Sequence, residues 1–131
     1  MKQLIIFLFS LLISTNSFGD PEGYTLLSTN ELNVSEFINI PSILREGSTL
    51  RYWSIFNINN PENYLEGKHK SVKEYTELDC KVRTYKTLTR YIFLEHDAKG
   101  RGENIDTPDG RKPTYIIPGT LADLVRETLC K

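Results

Sequence analysis

The sequence predicts an α+β domain in which about six strands precede a single C-terminal helix. Residues 24–117 hold short segments rich in Val, Ile, Thr, Tyr and Phe, separated by clusters of Gly, Pro, Asn and Asp that end strands. Within this mature part, Thr120–Leu129 carries apolar residues at helical spacing. Two cysteines, Cys80 in mid-chain and Cys130 beside the final residue, allow one intramolecular bond, which would tie the end of that helix to the strand holding Cys80.

Met1 to Gly19 reads as a signal peptide and not as part of the fold. Lys2 precedes the apolar run Leu4 to Ile13, polar Ser14, Thr15 and Asn16 follow, and small Ser17 and Gly19 stand three and one before Asp20. The apolar run is about half of the ~20 residues that span a bilayer, so no transmembrane segment is expected after processing. The remaining residues, 20–131, suffice for one domain with one modest core. Export places the chain where disulfides persist. Closing a loop of about 50 residues between Cys80 and Cys130 stabilises by about 4 kcal/mol in the chain-entropy account. No cysteine follows the cleavage point closely, so a lipid anchor is not expected. A formal net charge of −1 gives no reason to expect a nucleic-acid partner or an anionic membrane surface.

In chain order, Tyr24–Ser28 and Val34–Ile40 read as strands, the second alternating Val34, Glu36, Ile38, Ile40 against Ser35, Phe37, Asn39 and ending at Pro41. Arg45-Glu46-Gly47-Ser48 signals a turn. Thr49–Ile58 is then the most aromatic strand, with Trp53 at its centre expected in the core. After the breaker run Asn59 to Asn63, the segment Ser71–Cys80 alternates. Val72, Glu74, Thr76, Leu78 and Cys80 share one face, and Lys73, Tyr75, Glu77 and Asp79 share the other. An element bonded to Cys80 must cover the first face, which leaves Lys73, Tyr75 and Glu77 open to a partner. Val82–Leu94 is the next long strand. Both its faces are mixed, and the aliphatic set Val82, Leu88, Ile92 and Leu94 is taken as the inner one.

Turns follow at Ala98 to Gly102 and Thr107-Pro108-Asp109-Gly110, with short strands at Glu103–Ile105 and Thr114–Ile117. Thr120 is a good helix N-cap, with Asp123 where a capping-box acid belongs. Leu121, Leu124, Val125 and Thr128, with Leu129 beside them, form the predicted apolar stripe. Cys130 lies about 180° around an ideal helix from Leu121, so the last turn is expected to bend for the cysteine to reach the sheet.

Candidate chemistry is sparse. His69 and His96 each have carboxylates nearby, Glu66 for one and Glu95 with Asp97 for the other, but no metal-ligand spacing links them, and both are expected at the surface. Gly100-Arg101-Gly102 lacks the Lys-Ser/Thr pair of a phosphate loop. Ser48 is in no nucleophile elbow, and Glu103 with Asp106 falls in a loop with nothing to raise a pKa. The disulfide occupies both thiols. No catalytic residue, metal ligand or cofactor is assigned, and the chain is read as a non-enzyme. Lys81, Arg83, Lys86 and Arg90, interleaved with Tyr85, are the candidate binding residues for an acidic or glycosylated partner. Alternation splits them between two faces, so the plainer reading is a solvated strand with cross-strand charge pairs.

These residues resemble the surface-adhesin protein E family of small exported bacterial proteins. The match runs from Trp53 through Ser71–Arg83 with Asp79-Cys80 and the Gly100-x-Gly102 pair, to Ile117-Pro118-Gly119-Thr120 leading a short helix to Cys130. The resemblance implies a single antiparallel sheet whose concave face is crossed by the C-terminal helix and tethered to it by the disulfide. It also implies an adhesin-like role, binding host extracellular-matrix or other proteins. Two departures are the missing lipid-attachment cysteine, which bears against outer-membrane display, and Tyr115 where many relatives have tryptophan. The alternative is a periplasmic or cell-envelope accessory protein that binds a small ligand or another envelope protein.

Overall fold

Among the described residues, eight strands form one antiparallel sheet. They are β1 (Thr25–Thr29), β2 (Val34–Ile38), β3 (Leu44–Glu46), β4 (Thr49–Ile58), β5 (Ser71–Asp79), β6 (Thr84–Phe93), β7 (Gly102–Ile105) and β8 (Thr114–Tyr115). The helix α1 (Leu121–Leu129) closes the chain. The computed structural model describes residues 21–61, 68–105, 108 and 111–131. The predicted leader, Glu66 beside His69, Asp106 of the Glu103 pair, and parts of the Asn59–Asn63 and Thr107–Gly110 runs lie outside these residues.

The strand order is β1-β2-β4-β5-β6-β7. Two short strands raise the count from about six to eight. β3 pairs with the Thr49–Arg51 start of β4, where β2 no longer reaches, and β8 pairs with Thr84 and Tyr85, below β7. Leu44–Glu46, read from sequence mostly as a turn, is thus a strand, and the turn is confined to Gly47 and Ser48. Gly47, at φ 61°, adopts the left-handed backbone that lets so tight a connection close.

One face of the sheet carries most of the core, while Phe37 and Ile55 are buried on the other. Ile38, Leu50, Tyr52 and Leu78 pack with Val125 and Leu129 of the helix and Ile116 of the strap before it. Cys80 and Cys130 join this cluster and are bonded, with Cα atoms 5.6 Å apart. The predicted alternation of β5 holds, with Val72, Thr76 and Leu78 buried and Cys80 continuing their face. A second apolar cluster, Val34, Ile58, Val72 and Ile92 with Phe56 and Ile105 against it, lies further along the same face.

The helix is capped as predicted. Asp123 N–H donates to Thr120 Oγ1 at 3.3 Å, and Gly119 N–H donates to Asp123 Oδ2 at 3.1 Å. Its buried face differs from the predicted stripe. Val125 and Leu129 are buried and Ala122 packs on the core, whereas Thr128 is exposed and turns its hydroxyl back to Leu124 O at 2.7 Å. This rotation removes the need for a bent last turn. Leu129 lies only about 100° from Cys130 on an ideal helix, and Cys130 caps the helix with its N–H still donating to Arg126 O.

In β6 the inner set differs from the aliphatic one. A register shift against β5 falls between the pairs Tyr75↔Thr89 and Thr76↔Thr87, leaving Leu88 as the extra residue of a bulge. Below it Tyr85 and Thr87 share the helix side, and above it Arg90 and Ile92 do. Of the predicted set only Ile92 is buried, and Val82 is 55% exposed in the turn before the strand.

Candidate functional site

Two surfaces carry concentrated chemistry, one on each face of the sheet. On the face away from the helix, Trp53 of β4 pairs with Tyr75 of β5, their ring centroids 4.8 Å apart. Lys73 Nζ lies 5.1 Å from the centre of the Trp53 ring, within cation–π range. Trp53 is half-buried and belongs to neither core cluster, which corrects its expected place in the core. The reason is register: Trp53 alternates with the inward Tyr52 and Ser54, so it must face outward.

Further along this face, Glu77 sits between Lys86 Nζ at 2.9 Å and Arg51 Nε at 3.1 Å. The Lys86 hydrogen bond, helped by Arg51, holds the Glu77 carboxyl below its usual range. The β5–β6 turn is built on Asp79, whose Oδ1 accepts from Lys81 N–H at 2.9 Å, Val82 N–H at 3.2 Å and Ser48 Oγ at 3.3 Å. The Val82 bond is the largest cause of the lowered Asp79 pKa. Lys81 and Arg83 are exposed on this turn. Of the five candidate binding residues, then, Lys81 and Arg83 lie on the turn and Lys86 on the open face, while Tyr85 and Arg90 point to the helix side. The five do not form one surface.

The histidines stand differently from expectation. His69 is buried, and His96 is half-buried with Nε2 3.1 Å from Ile58 O. His96–Ala98 forms a turn fixed over the end of β4 and the start of β5. Asn57 Nδ2 donates to Asp97 Oδ1 at 2.7 Å, and Ala98 N–H donates to Ser71 Oγ at 3.0 Å. These bonds occupy the polar groups near His96 in structure. Among the described residues no group of three or more His, Cys, Asp or Glu is placed to hold a metal ion.

The helix-side face has a polar row between the two apolar clusters, which the sequence reading did not single out. Glu36 of β2, Tyr52 of β4, Glu74 and Thr76 of β5, and Thr87 and Arg90 of β6 line a cavity of about 210 Å³, with Leu121, Ala122 and Val125 as its helix wall. A second space of about 190 Å³ adjoins it along Val34, Phe56, Ile58, Val72, Ile92 and Ile105. Arg90 Nε and Nη2 each lie 2.6 Å from Glu74 Oε1. Glu36 is only 3% exposed. Burial, reinforced by the Glu74 charge, pushes its pKa up to about 8. Burial also raises Glu74, against the pull of Arg90. Ser54, in the same row and fully buried, has a hydroxyl with no partner among the described residues. A larger groove of about 790 Å³ between the β1–β2 turn and the start of α1 is lined by exposed Glu31 and Glu127 and holds no buried polar group.

The family model described as "Surface-adhesin protein E" matches residues 24–131. Solved structures of Haemophilus influenzae protein E superpose on this fold. Crystal form II gives a TM-score of 0.60 at 20% identity, covering 83% of this chain and 87% of that one. Protein E from a non-typeable strain gives 0.59 at 16% identity, covering 86% and 78%. A search of curated proteins gave no match. No helix among the described residues is long and apolar enough to cross a membrane.

Proposed function

Because the chain belongs to the surface-adhesin protein E family, we propose that it is an exported, non-enzymatic binding protein that engages a protein partner, such as a host extracellular-matrix protein, through its open sheet face. The observation that carries this reading is the half-exposed Trp53–Tyr75 pair with Lys73 over it, flanked by Arg51, Glu77 and Lys86. Rigid aromatics bordered by charge are what protein interfaces use as anchors. Lys81 and Arg83, exposed on the adjoining turn, add positive charge suited to an acidic or glycosylated partner. The leader 1–19 directs the chain out of the cytoplasm in this reading, and the disulfide suits the oxidising compartment beyond.

Binding of the processed protein to immobilised matrix proteins, compared with Trp53→Ala/Tyr75→Ala and Lys81→Glu/Arg83→Glu variants, tests the reading. Loss of binding in folded variants supports it, and unchanged binding removes this face from consideration. Cell fractionation with surface protease accessibility decides between display and an envelope role. Confinement to the periplasm excludes host adhesion as the direct task.

A further inference from the structure

We propose that the space between α1 and the sheet binds a small primary amine, its ammonium group held by Glu36 and the neighbouring hydroxyls and its aliphatic portion lying along the trough of Val34, Phe56, Ile58, Val72, Ile92 and Ile105. The two adjoining spaces, about 210 and about 190 Å³, together reach the range of small-ligand pockets, about 300–1,000 Å³. One is walled by polar groups on the sheet side and the other by aliphatic ones, and Phe56, Glu74 and Arg90 border both. That division calls for a ligand with one polar end.

The charge of the polar end follows from what faces it. β5 contributes Glu74, β6 contributes Arg90 and the Tyr85 phenol, β4 contributes the Tyr52 hydroxyl, and the helix wall of Leu121, Ala122 and Val125 is uncharged. Arg90 Nε and Nη2 both lie against Glu74 Oε1, so that pair is neutral as a unit. Glu36 is the remaining acid. It is almost wholly buried, lines the cavity and, among the described residues, has no cationic partner to pull its pKa down. An anionic ligand finds no free counter-charge there, because the one cation lining the cavity, Arg90, is bound to Glu74. A hard metal ion needs several oxygen ligands with charge to replace its water, and one uncommitted carboxylate does not supply them. An ammonium group needs three acceptors, and Glu36 with the Thr87 hydroxyl and the remaining lone pairs of the Tyr52–Thr76 hydroxyl pair, which are hydrogen-bonded to each other, offers that kind of set. Arg90, 36% exposed against 13% for Glu74, marks the mouth.

Binding is coupled to a proton. The buried Glu36 carboxyl, pushed up to about 8, holds a proton at neutral pH, and the incoming ammonium replaces that proton with a paired positive charge. Affinity therefore rises with pH, about tenfold per unit well below pH 8, and levels off above it.

The test uses the protein exported with its leader and purified, titrated calorimetrically with n-hexylamine hydrochloride, 1-hexanol and sodium hexanoate at pH 7.5 in two buffers of different ionisation enthalpy. The expected result is hexylamine binding at least about tenfold tighter than hexanol, a difference of about 1.4 kcal/mol, with proton release and no hexanoate binding. Glu36→Gln should weaken hexylamine at least about tenfold while the protein still unfolds cooperatively. Ile105→Trp, which fills the trough without touching Glu36, should weaken hexylamine at least about fivefold. The proposal is overturned by hexanol binding as tightly as hexylamine, by binding without proton release, by undiminished affinity in either variant, or by no hexylamine binding up to about 10 mM. None of these outcomes bears on the open face, so the two readings fail independently.

Discussion

Trp53 and Tyr75 stand directly opposite each other on β4 and β5, and Lys73, two residues from Tyr75, reaches across to lie over the Trp53 ring. Three side chains from two strands thereby share one patch on the open face. A double-mutant cycle on Trp53→Ala and Tyr75→Ala should give a coupling of about 0.5–1.5 kcal/mol in stability. Urea unfolding of the four proteins measures it, and additive losses would show that the stacking contributes nothing beyond burial.

The disulfide joins the last turn of the chain to the strand at its centre. Cys80→Ser with Cys130→Ser should lower stability by about 2–5 kcal/mol. Mass spectrometry of the non-reduced protein should find no free thiol. Two free thiols in the exported protein would overturn the assignment.

Helix orientation can be read from a pair of leucines. Leu129→Ala empties a buried site and should cost about 2–5 kcal/mol. Leu124→Ala, on the half-exposed side, should cost less than about 1 kcal/mol. The predicted stripe through Leu124 and Thr128 requires the two losses to be comparable, so thermal or denaturant unfolding of both variants separates the arrangements.

Stability should depend on pH through Glu36. Its folded pKa of about 8 lies above the ordinary 4.5, so between those values the folded protein keeps a proton that the unfolded chain has lost. The contribution is fully present below pH 4.5 and is lost as pH rises through 8, with Glu74 shifted in the same direction. The ligand-free protein should lose several kcal/mol across that window, at about 1.4 kcal/mol per pKa unit. Glu36→Gln should flatten the slope. Urea unfolding at pH 5, 6.5 and 8 checks this, and equal slopes in the two proteins would place the titration elsewhere.

Much of the fold was legible because side-chain alternation and turn chemistry are local. Val72, Thr76, Leu78 and Cys80 declared their face by period alone, and Thr120 with Asp123 declared the helix start. Leu44–Glu46 was harder, since a three-residue edge strand carries almost no pattern, and its pairing depends on where β2 stops. The family resemblance supplied the single antiparallel sheet, and residues 24–131 match that family. The polar row was present in the alternation itself, as Glu36 between Val34 and Ile38 and Glu74 between Val72 and Thr76. Either acid alone reads as an ordinary surface charge. Their convergence follows from the β2-β4-β5 register, in which Glu36 lies opposite Phe56 and Glu74 opposite Ser54. Trp53 was misplaced for the same reason, because an aromatic strand looks buried on both sides until its neighbours fix which side is inward.

The extra residue in β6 acts as a parity switch. By standing out of register, Leu88 lets one basic strand serve two compartments, sending Lys86 to Glu77 on the outer face and Arg90 to Glu74 beside the inner cavity. Were Leu88 paired in regular register instead of bulged out, the upper half of the strand would invert, Glu74 would lose its counter-charge, and the trough would lose Ile92 from its lining. One inserted side chain therefore keeps the outward patch and the inward chamber chemically separate, so that either can vary while the other is held.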